Sequence, residues 1–127
     1  MFRLVKILNG RTNQAEPMVF ATTAGEAYEI GEALCLSDGA LTKASATSAP
    51  TYIAICDMGA NQADKLPVYP VSQGMVFECP VTGDTAALYV GGKVTLAADG
   101  LGVTATSGGS ATILSPVDED NLVLVTF

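Results

Sequence analysis

Apolar residues in this chain recur at every second position over short stretches, and the stretches are broken every 8–12 residues by Gly, Asp, Asn or Pro. A strand turns alternate side chains to opposite faces, so this period predicts half-buried strands joined by tight turns. Helical spacing is nearly absent; Ala60–Asp64 is long enough for one helical turn only. Twelve strands are predicted: Arg3–Leu8, Met18–Thr22, Ala33–Leu36, Leu41–Ala44, Tyr52–Cys56, Lys65–Tyr69, Met75–Glu78, Ala86–Val90, Lys93–Leu96, Val103–Thr106, Ala111–Leu114 and Leu122–Phe127. Some of these are expected to merge or to prove irregular.

Two hairpins can be read to register. Asp38-Gly39 suits a two-residue type I′ turn, which sets Leu36 opposite Leu41 and Cys35 opposite Thr42. Asp99-Gly100, read the same way, sets Leu96 opposite Val103 on an apolar face and Thr95 opposite Thr104 on a polar one. The segments Gly31–Gly39 and Gly92–Gly100 resemble each other. Each precedes a Ser/Thr/Ala-rich stretch, an Ile-containing strand, an acidic loop and a final strand. An internal duplication of a hairpin-strand-strand unit accounts for this order, as would independent reuse of common turn chemistry. The expected fold is all-β, a small barrel or sandwich built from hairpins. One domain spans 1–127, with an N-terminal strand or arm (1–30), a first hairpin unit (31–79) and a second (80–127).

The chain of 127 residues is 49% hydrophobic, enough to bury a core. Thirteen acids against 6 bases give a net charge of −7 with no basic stripe. Nucleic acid and anionic membrane are therefore not expected partners. No apolar run approaches the roughly 20 residues that span a bilayer. The start of the chain does not read as a signal peptide, so synthesis and folding in a cytosol are expected. Cys35, Cys56 and Cys79 lie in apolar stretches and read as small buried hydrophobes.

The absence of His excludes Ser-His-Asp and Cys-His catalysis. Neither a nucleophile elbow nor a phosphate loop is present. Asp118-Glu119-Asp120 reads as a solvated acidic loop, with weak Ca²⁺ binding as the alternative. Glu26, Glu29 and Glu32 read as a solvated face or a patch for a basic partner, with a paired-carboxylate hydrolase as the outside alternative. No catalytic residue, cofactor or metal is expected. The strand Lys65–Val71 carries Pro67 and Pro70, which places it at a sheet edge, where another chain can add. The N-terminal stretch sets Phe2 and Leu4 to one side and Arg3 and Val5 to the other, and reads as a sheet strand or an arm pairing with a neighbouring chain. Candidate protein-contact residues are Phe2, Arg3, Val5, Ile7, Pro67, Tyr69 and Pro70.

The order of elements from Ala33 to Glu78 resembles the head decoration, or capsid cement, proteins of tailed bacteriophages, lambda type. The resemblance rests on the hairpin Ala33–Ala44 and on Tyr52-Ile53-Ala54-Ile55-Cys56-Asp57, similar to the family's Gly-Ile-Leu strand. Leu66-Pro67-Val68-Tyr69 follows, then Ser72-Gln73-Gly74-Met75-Val76-Phe77-Glu78, similar to the family's Gly-x-Phe-x-x-Glu ending. It implies a virion structural protein, made in the host cytoplasm, that binds the outer capsid surface as a homotrimer and bridges major capsid subunits. The N-terminal segment here is shorter and more strand-like than the family's arm, and the C-terminal half continues as a second hairpin unit. The alternative reading is another non-catalytic β-rich binding module, carbohydrate-binding or tail-associated.

Overall fold

The computed structural model describes residues 1–8 and 16–127; part of the expected N-terminal arm, 9–15, lies outside the described residues. The described residues form eleven strands: β1 (Arg3–Ile7), β2 (Met18–Thr22), β3 (Ala33–Ser37), β4 (Ala40–Lys43), β5 (Tyr52–Ala54), β6 (Lys65–Pro70), β7 (Met75–Thr82), β8 (Lys93–Leu96), β9 (Val103–Ser107), β10 (Ala111–Ile113) and β11 (Leu122–Thr126). Ala86–Val90 is not a strand. It is taken up by turns, with the Leu88 N–H donating to Thr85 and the Gly92 N–H to Tyr89. Ala60–Asp64 forms no helical turn; a β-turn closes instead from Gly59 to Gln62.

The strands close into two five-stranded barrels. The first runs β2-β4-β3-β5-β6 and back to β2. The second runs β7-β9-β8-β10-β11 and back to β7, with β1 added outside the ring along β7. In each barrel the first strand pairs parallel with the third and antiparallel with the fifth. The hydrogen bonds repeat too. Gly31 N–H donates to Ala54 and Gly91 N–H to Ile113, both at 2.8 Å. Ala54 N–H donates to Glu32 at 3.0 Å and Ile113 N–H to Gly92 at 2.9 Å. Thr22 N–H reaches Asp64 at 3.0 Å and Val81 N–H reaches Asn121 at 2.9 Å. The repeated unit therefore has five strands, one more at its start than the hairpin pattern revealed. Met18–Thr22 and Met75–Thr82 are the added first strands.

The first hairpin has the register its turn demands: Leu36 faces Leu41, Cys35 faces Thr42, and φ is positive at both Asp38 (50°) and Gly39 (84°). In the second, Leu96 faces Val103, and the Thr95 and Thr104 hydroxyls hydrogen-bond at 2.6 Å. Its turn differs from type I′. The Gly100 N–H closes a turn onto Ala97, only Gly100 is left-handed (φ 72°), and Asp99 spends its carboxylate on the Leu101 N–H.

Apolar cores fill both barrels. Leu34, Leu41, Leu66 and Val68 are fully buried in the first, beside Tyr28, whose hydroxyl donates to the Leu41 carbonyl at 2.8 Å. Phe77, Val94, Leu96, Val103, Ile113 and Val125 fill the second. Phe2, Ala33 and Ile53 pack into this second cluster, so the two barrels share apolar contacts. Two main-chain bonds tie them further: Ala33 N–H to Gly100 at 2.7 Å and Leu96 N–H to Ala46 at 2.9 Å.

Candidate protein-contact surface

Closed rings leave no bare ladder inside them, so the prolines of β6 do not mark an edge. β6 lies between β2 and β5. A strand residue turns its N–H and C=O to the same side. Pro67 faces Ile55, whose N–H it accepts at 3.2 Å just beyond the end of β5. Pro70 faces the β2 side, past Met18, where β2 begins. Each proline thus sits where a neighbouring strand has run out and a donor is not needed. Pro80 follows the same logic in β7, at the point where its partner changes from β1 to β9.

Among the described residues the open edge is the outer side of β1. Phe2, read from the sequence as a contact residue, is only 3% exposed. Its ring meets those of Phe77 (6.3 Å, near-perpendicular) and Phe127 (5.6 Å), anchoring β1 to the second barrel. The register of β1 slips between Leu4 and Lys6, leaving Val5 as an extra residue. This bulge re-phases the strand, so that Leu4 and Ile7 pack on the core while Arg3, Val5 and Lys6 stay outside. Arg3 forms an ion pair with Glu78 across the ladder.

Beside β1 lies an apolar groove of about 230 Å³. Met1, Arg3, Leu4, Ile30, Ile55 and Tyr69 form its rim, and its floor includes Phe2, Ile53, Met75 and Phe77. The groove brings Arg3 and Tyr69 together, from sequence positions far apart. Val5 and Ile7 lie farther along β1, and Pro67 and Pro70 lie outside it. Ile30 escaped sequence reasoning because it stands among acids in a loop. Ile55, inside the expected strand Tyr52–Cys56, is half-buried because β5 ends at Ala54.

The acids have structural partners. Glu32 is 1% exposed; its Oε2 accepts the Glu29 N–H at 2.9 Å and its Oε1 lies 3.6 Å from the Lys43 ammonium. Burial pushes its carboxyl above the ordinary value of 4.5, opposed by the Glu29 hydrogen bond and by Lys43. Glu26 accepts from the Thr42 hydroxyl at 2.9 Å. Asp118 shapes its loop by accepting the N–H groups of Asp120 and Leu122 at 3.0 and 2.8 Å. Among the described residues no three of His, Cys, Asp and Glu cluster to hold a metal ion. Cys79 is buried, and its thiol is pushed up to about 12 by desolvation, whereas Cys35 and Cys56 are half-buried rather than in the core.

No protein-family model matches the chain, and no curated protein matches it in sequence. Among solved structures, it is similar to the N base of the head fiber protein gp8.5 of bacteriophage phi29. The TM-score is 0.59 at 18% identity, covering 88% of this chain and 94% of that one. At that identity the likeness establishes a shared fold, and it extends over both barrels.

Proposed function

We propose that this chain is a phage virion structural protein that sits on the head. Its fold likeness to a head fiber base, over nearly the whole of both chains, is the observation that carries this reading. The hairpin order of residues 33–78 points the same way. On this reading the protein is non-catalytic. It binds the outer capsid surface as a trimer and stabilises the shell by bridging major capsid subunits. The open side of β1 offers main-chain pairing to a capsid segment, and the adjoining groove takes its apolar side chains. Several such weak contacts made at once hold far more firmly than any one alone.

Cryo-electron microscopy of heads assembled with and without the protein tests this directly. Added density on the outer shell, contacted through β1 and the groove, is the expected result. Heads whose surface is unchanged by saturating protein would refute it. Tyr69→Ala and Val5→Asp should each weaken co-sedimentation with heads while leaving the circular dichroism spectrum intact.

A further inference from the structure

The two barrels touch through more than one bond, but the docking of a hairpin turn on the start of the other barrel's second strand is made in one direction only. The turn of the second hairpin seats on the start of β3: Gly100 accepts the Ala33 N–H, and a β-carbon on Gly100 would press on Glu32 Cγ at 3.1 Å. The equivalent pieces of the other repeat are the turn at Asp38-Gly39 and the start of β8 at Lys93. They do not meet. A β-carbon on Gly39 would have nothing within 4 Å.

Ala33 and Lys93 each accept a strand-side N–H, from Ala44 at 3.0 Å and Gly108 at 3.2 Å. Ala33 then gives its own N–H to Gly100, whereas the Lys93 N–H has no such loop partner among the described residues. Exposed apolar side chains cluster on the same two pieces. Leu36 is 38% exposed while its counterpart Leu96 is 1% exposed, and Tyr89 and Val90 beside Lys93 are 70% and 55% exposed. The charges are opposite: Asp38 stands on the turn and Lys93 on the receiving strand, both exposed and neither in an ion pair among the described residues.

We infer that the Asp38-Gly39 turn of one copy docks on the Tyr89–Lys93 segment of a second copy, repeating between chains the contact made within each chain. Such a contact is head-to-tail, so it closes into a ring when the rotation allows. The surface patch lies apart from β1 and the groove, so self-association and shell binding can fail separately.

Light scattering and sedimentation of the full chain test this. The wild type should self-associate with rising concentration. Asp38→Lys and Lys93→Asp should each weaken association about tenfold or more through like-charge contact. The double exchange Asp38→Lys/Lys93→Asp should restore it, with circular dichroism confirming that every variant is folded. A wild type that stays monomeric at millimolar concentration would overturn the inference. So would single variants that associate like the wild type, or an exchange that restores nothing. Head co-sedimentation, measured on the same variants, reports separately on the function proposed above.

Discussion

Two buried titratable side chains show how burial acts residue by residue. Glu32 carries a carboxyl raised above 4.5 by its surroundings. Folding therefore favours its protonated form, and its contribution to stability is greatest below 4.5 and falls as pH rises through the raised value. Glu32→Gln should melt at or above the wild-type temperature at pH 7, and that advantage should shrink towards pH 4, as thermal unfolding across this range would show. Cys79, with its thiol near 12, holds no thiolate at ordinary pH. Iodoacetamide at pH 8 should modify Cys35 and Cys56 first and reach Cys79 only after unfolding, which mass spectrometry of peptides would resolve.

Strands show where local chemistry suffices and where it does not. The first hairpin was legible because Asp38-Gly39 determines its turn and register within eight residues. The second kept the Leu96–Val103 pairing but not its turn, and its ladder slips between Val94 and Leu96; Asp99 turns its carboxylate to the Leu101 N–H. The place of β6 was illegible: proline's missing donor excludes a position only if a neighbour is there to want it, and that depends on where β2 and β5 end. Met18–Thr22 and Met75–Glu78 were legible as strands, but not as the first strand of each repeat, because the parallel pairing that makes them so is formed far along the chain. The groove was illegible because its rim is assembled from β1, β6 and loops that only tertiary packing unites. The mixed pattern of β1 became readable once the Val5 bulge was seen. Phe2 should be the anchor of that strand. Phe2→Ala should cost about 3–5 kcal/mol and speed amide hydrogen exchange in β1 well before either barrel, as mass-resolved exchange would register.

For the molecule as a whole, Ile53 is diagnostic, being a side chain of the first barrel that packs in the core of the second. Ile53→Ala should lower stability by about 2–5 kcal/mol while calorimetry still shows one transition. Two separated transitions would show that the barrels unfold independently. The irregular residue at Val5 bears on a hazard that any lone uncapped strand carries. A segment laid along its outer side meets a kinked backbone after two or three rungs, so fibre-like stacking of chains stalls there. A partner shaped to follow the kink keeps its grip.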